Sequence, residues 1–131
     1  MTYNQKNRKT ITTRYKNKLT KLFSSCDESQ KEAADMLIGR AAFLLASLDE
    51  LEAIIYERGY LEEYQNGENQ HGIMVSPAIK TYKMNMGQLL DVFKQLQTYL
   101  PETVEKDALT NIRGQSYSLK SSTTIAFFLN L

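Results

Sequence analysis

The stretch ADMLIGRAAFLLASLDELEAII, residues 34–55, decides the fold. Within it Leu37, Ala41, Leu44, Leu48, Leu51 and Ile55 recur at alternating steps of four and three. A second stretch, IKTYKMNMGQLLDVFKQLQTYL at residues 79–100, repeats the pattern through Ile79, Tyr82, Met86, Leu89, Phe93, Leu96 and Leu100. A mean step of about 3.5 residues keeps one seam of side chains turned toward a partner helix. A short polar, glycine-bearing segment separates the two stripes. The expected fold is mainly α: a long antiparallel helical hairpin with a small β-ribbon at its tip.

Working outward, the first long helix is expected over residues 29–58, which lack proline and are rich in helix formers. Two S-x-x-E capping boxes, Ser25 to Glu28 and Ser29 to Glu32, compete to start it. Gly39 lies near Ala41 and Ala42 and reads as a point of close helix approach. Gly59 after Arg58 reads as the C-cap. Residues 60–64 and 73–75 read as strands around an Asn66-Gly67 turn. Ser76-Pro77 supplies an N-cap and a first-turn proline for the second long helix, which Pro101 ends near residue 100. Beyond it, residues 102–109 have the pattern of one or two helical turns, and 114–124 that of a loose or extended segment. Residues 125–131 are apolar and call for a docking surface.

Three parts are expected: a basic arm with a short helix at 1–26, the hairpin core at 27–100, and a carboxyl-terminal segment at 101–131. Hydrophobic content of 42% and charged content of 24% suit a soluble globular protein. No apolar run is long enough to span a membrane, and no signal-peptide pattern opens the chain. The single cysteine, Cys26, makes no internal disulfide and fits a reducing cytoplasm.

The net charge of +1 hides a strong polarity. Lys6, Arg8, Lys9, Arg14, Lys16, Lys18 and Lys21 crowd the first 21 residues with no acid among them, whereas the remainder carries nine basic and fifteen acidic residues. Such an arm suits a polyanion, with a merely solvated tail as the plain alternative. Residues 1–11 read as disordered in isolation. Residues 13–23 read as a short helix whose apolar side, Ile11, Tyr15, Leu19 and Leu22, docks on the hairpin. Its few apolar side chains make membrane attachment a poor alternative.

Apolar residues also lie off the seam: Met36, Ile38, Phe43, Leu45 and Ile54 on the first long helix, Met84, Leu90 and Val92 on the second. Burying several at roughly 1.5–3 kcal/mol each favours self-association over a monomer.

Catalytic chemistry is sparse. One Cys and one His offer no metal-ligand spacing. His71 reads as a solvated turn residue and Cys26 as inert. Asp49, Glu50, Glu52 and Glu57 read as a solvated acidic face, and no glycine-rich phosphate loop occurs. No enzyme activity and no cofactor or metal are expected.

The order of a long helix, Glu57-Arg58-Gly59-Tyr60, a glycine-bearing hairpin, Ser76-Pro77-Ala78-Ile79-Lys80 and a second long helix with Leu89, Leu90, Phe93 and Leu96 resembles the small terminase subunits of tailed bacteriophages. The likeness spans residues 29–100. Ser76 stands where that family has Asn, an equivalent cap, and Pro101-Glu102-Thr103 departs from its usual turn. The resemblance implies a non-enzymatic, ring-forming component of the DNA-packaging motor, working in the cytoplasm of the bacterial host. Such a subunit presents viral double-stranded DNA to the large ATPase and nuclease subunit. In that setting the basic arm meets phosphates with little sequence preference, the hairpin builds the ring, and the tail residues Phe127, Phe128 and Leu129 engage the large subunit. The alternatives are a helical protein-interaction adaptor and a DNA-binding regulator with no packaging role.

Overall fold

A computed structural model describes residues 3–100 and 112–113. Its elements run α1 (Gln5–Leu22), α2 (Glu28–Arg58), β1 (Leu61–Gln65), β2 (His71–Val75) and α3 (Pro77–Gln97). The long hairpin of α2 and α3 with a two-stranded ribbon at its tip matches the expected architecture.

The first helix departs from expectation. It begins at Gln5, inside the stretch read as disordered, because Asn4 caps it: the Asn7 N–H donates to the Asn4 side chain at 2.9 Å. Burial of Ile11, Tyr15 and Leu19 then anchors 18 residues, about 27 Å of helix, along α2. Phe23 and Cys26, both buried, fill the bend before α2. The chain turns back there, so that Arg8 meets Glu50 and Tyr15 meets Asp49.

Neither capping box starts α2. Asp27 takes the N-cap position without a side-chain hydrogen bond. A dipole-matched acid, Glu28, occupies the first turn, and Arg58 the last. Gly59 closes the helix as expected, with φ +82° and ψ −171°, a backbone shape glycine adopts freely.

Leu44, Leu48, Met86, Leu89, Phe93 and Leu96 are buried along the seam, whereas Leu37, Leu51, Ile55 and Ile79 are half-buried. Two residues placed off that seam, Ile38 and Leu45, are only 1% exposed. They belong to the core shared with α1, as do Ala34 and Ala42. Leu90 and Val92 are buried too, while Met36, Phe43 and Met84 stay exposed. Gly39 is not a close-approach point, since a Cβ built there meets nothing within 4 Å.

β1 and β2 pair antiparallel from Leu61 opposite Val75 to Gln65 opposite His71. Gly67 at φ +82° makes the turn. The Tyr64 ring lies across its partner Gly72, where an added Cβ would come within 3.0 Å of the phenol oxygen. β1 keeps the expected five residues but starts one later, and β2 begins two residues earlier than the sequence pattern suggests. His71 therefore sits in β2, exposed, and not in the turn.

Ser76 joins ribbon to helix. It is buried, donates its backbone N–H to Tyr60 O at 2.9 Å, and accepts at Oγ from the Ala78 N–H at 3.3 Å. Helix α3 ends at Gln97, and residues 98–100 finish it as turns. The readings made for 102–109, 114–124 and the apolar tail, including Phe127, Phe128 and Leu129, lie outside the described residues.

Candidate nucleic-acid interface

Helix α1 carries no acidic residue and all seven of the basic residues singled out in the sequence. Lys6, Arg8, Lys9, Arg14, Lys16, Lys18 and Lys21 are all exposed. The reason is the helical period: with Ile11, Tyr15 and Leu19 turned into α2, most other positions on an 18-residue helix must face water.

The seven are not equivalent. Arg8 falls toward α2, where its Nη2 lies 2.7 Å from Glu50 Oε1 and its Nε donates to the same oxygen at 2.8 Å. That hydrogen bond, and then the charge of Glu50, raise the guanidinium above its ordinary value. Lys18 sits over the Tyr15 ring, 5.9 Å from the centroid. Lys6, Lys9, Arg14, Lys16 and Lys21 have no ion-pair partner among the described residues. The helix thus has one cation ion-paired to the scaffold, one stacked on Tyr15, and five without an ion-pair partner among the described residues.

Behind this helix lies a charge cluster the sequence pattern concealed. Asp49, Glu50 and Glu52 do not form a merely solvated face; all three are half-buried and paired. Asp49 accepts from the Tyr15 hydroxyl and from Arg113 Nη2, each at 2.5 Å, and Arg113 also pairs with Glu52. Burial opposes the charge on Arg113, but Glu52 and Asp49 outweigh it and hold the group above its usual value. Burial, reinforced by the bond to Asp49, pushes the Tyr15 phenol up to about 12. Burial also raises Tyr82 of α3, with Glu52 contributing next.

Arg113 therefore ties α1 and α2 to the segment that follows α3. Nothing in the sequence singled it out, because an arginine between two weakly patterned stretches has no period to reveal its partner. A cavity of about 620 Å³ opens beside it, lined by Tyr3, Arg14, Tyr15, Lys18, Tyr56 and Arg113 among others.

A groove of about 740 Å³ runs between α2 and α3 past Met36, Gly39, Phe43 and Val92. Met36 is 66% exposed and Phe43 64%. Its rim carries Asp35, Arg40 and Asp91.

Among the described residues no group of His, Cys, Asp or Glu side chains is placed to hold a metal ion, and no helix is long and apolar enough to cross a membrane. Cys26 is buried and free. No family model, no curated protein and no solved structure matches the chain.

Proposed function

We propose that this chain is a non-enzymatic, self-associating DNA-binding protein, acting as the small terminase subunit of a tailed phage or prophage. In that role an oligomer, a ring, holds viral DNA in the host cytoplasm and presents it to the large ATPase and nuclease subunit. The observation that carries the DNA reading is α1 itself: a docked helix with seven exposed cations and no acid, five of the cations held by no ion pair or ring contact among the described residues. A rigid row of cations meets a phosphate backbone with less ordering cost than a floppy tail. The order of hairpin, ribbon and Ser76-Pro77-capped helix supports the packaging role, and exposed Met36, Phe43 and Met84 support self-association.

The test is a titration of duplex DNA at several salt concentrations, paired with light scattering. Neutralising contacts by five or six cations gives a log–log salt slope on the order of −5. Removal of residues 1–21 is a poor probe, since it strips Ile11, Tyr15 and Leu19 from the core. Replacing Lys6, Lys9, Arg14, Lys16 and Lys21 by Ala keeps the helix and abolishes binding. Unchanged DNA affinity in that variant, or a mass of 15.0 kDa at high concentration, refutes the corresponding half of the proposal.

The groove beside Phe43 favours one second reading, a helical adaptor whose partner is a protein. It predicts no DNA affinity at low salt.

A further inference from the structure

Apart from Lys6 at its start, the outermost row of α1 is not made of cations. Counted at about 3.6 residues per turn, the line opposite Ile11, Tyr15 and Leu19 runs through Lys6, Thr10, Thr13, Asn17 and Thr20. Thr10, Thr13, Asn17 and Thr20 are all exposed. On one flank of that line stand Arg14 and Lys21, and on the other Lys9 and Lys16. A crest of short polar side chains is thus bordered by two rows of long cationic ones.

Helix stability does not account for the crest. Thr and Asn are poorer helix formers than the Lys, Glu, Gln or Ala that would serve at solvent positions, by several tenths of a kcal/mol each. Thr10 donates its hydroxyl to Lys6 O at 3.0 Å, and no hydrogen bond to a described residue holds the side chains of Thr13, Asn17 or Thr20. Their hydrogen-bonding groups face outward.

Duplex DNA has the complementary layout. Its major groove is about 12 Å wide and admits one helix, with base edges along the floor and a phosphate backbone on each side. Short polar side chains on the helix crest reach base edges, and long cations on the flanks reach both backbones. Asn matches the N6 and N7 positions of adenine, and Thr offers a hydroxyl to any base and a methyl group to thymine. Other polyanions fit less well. A lipid surface needs an exposed apolar stripe, and that of α1 is turned into α2. Single strands need aromatic stacking platforms, absent from the crest. The major groove of an RNA duplex is too deep and narrow for a helix.

We propose that α1 enters the major groove of duplex DNA and reads base edges through Asn17, with Thr13 and Thr20 beside it, while Lys9 and Lys16 hold one backbone and Arg14 and Lys21 the other. This rests on the DNA-binding reading above and goes further, since it makes the protein sequence-selective. Because α1 packs extensively only on α2, its crest stands clear of the rest of the described fold.

The experiment selects duplexes from a pool with a random core, using the full chain. It then compares affinity for the selected duplex with affinity for a shuffled duplex of equal composition. Asn17→Ala is expected to cut the preference for the selected duplex roughly 5- to 100-fold, with shuffled-duplex binding unchanged. The pair Lys9→Ala and Lys16→Ala weakens both duplexes alike and lowers the salt slope by about 2. Both variants place Ala at exposed helix positions, so folding is retained and circular dichroism verifies it. The proposal is overturned if selection enriches no motif, if the Asn17→Ala protein keeps the full preference, or if an RNA duplex binds as tightly as DNA. In each of those cases shuffled-duplex binding still stands as the earlier reading. If neither DNA duplex binds, both readings fall together.

Discussion

The Tyr15 hydroxyl on α1 donates to Asp49 Oδ2 on α2 at 2.5 Å, and Asp49 is also gripped by Arg113. Burial and this bond raise the phenol from 10.0 to about 12. A raised folded value favours the protonated form, so the contribution is complete below the unfolded value and is lost as pH climbs through the folded one. Urea midpoints of the native protein should therefore fall between pH 10 and about 12. Tyr82 and Tyr3 are raised as well and add to the slope. The Tyr15→Phe protein should show a shallower fall over the same window, and an identical profile would remove Tyr15 from the account.

Arg113 bridges Asp49 and Glu52 with its side chain 24% exposed. Charge-assisted bonds to a partly buried group are worth about 1.5–3 kcal/mol, and removing the cation leaves two carboxylates facing each other. Arg113→Ala should lower stability by about that amount. In a cycle with Asp49→Asn, the two losses should sum to more than the double variant loses, with a coupling of about 1 kcal/mol or more. Strict additivity in denaturant melts would show that the two do not interact.

Phe43 is 64% exposed beside the α2–α3 groove. Phe43→Glu should leave the unfolding free energy within about 0.5 kcal/mol of the native chain, since a solvent-facing position carries little packing. If copies associate through this face, light scattering should show the mass dropping toward 15.0 kDa. An oligomer unaffected by the charge assembles elsewhere.

Gly59 has open space where a Cβ would sit, yet its φ of +82° with ψ −171° is a region held almost entirely by glycine. Gly59→Ala should cost about 1–3 kcal/mol through the backbone alone. Thermal melts distinguish this from a loss of packing, because Gly39→Ala, also with open space around it but at an ordinary helical position, should be neutral or stabilising.

The hairpin was legible because its information is periodic. Leu44, Leu48, Leu89, Phe93 and Leu96 declare their seam by spacing, and Gly59, Asn66-Gly67 and Ser76-Pro77 mark its corners. The start of α1 was hidden because its stability comes from Asn4 and from α2, not from local propensity. Ile38 and Leu45 looked like spare surface for the same reason: a strict two-helix seam takes no account of a third helix. The paired state of Asp49 and Glu52 needed Arg113, more than sixty positions away, and no local pattern encodes such a partner. The basic residues were evident from composition. Only the helix geometry separated the flanking rows from the crest of Thr10, Thr13, Asn17 and Thr20.

Helix α2 packs extensively against both α1 and α3, while the ribbon exposes Leu61, Ile73 and Val75 to water. Amide protons should record this as a gradient along the rod. Those of Ala41 to Leu48, wrapped on two sides, should exchange with solvent deuterium only when the whole chain opens, whereas those of Glu62 to Tyr64 should be lost in brief, independent fluctuations at the far end. One end of the molecule can thus yield to a visitor without the other end registering it.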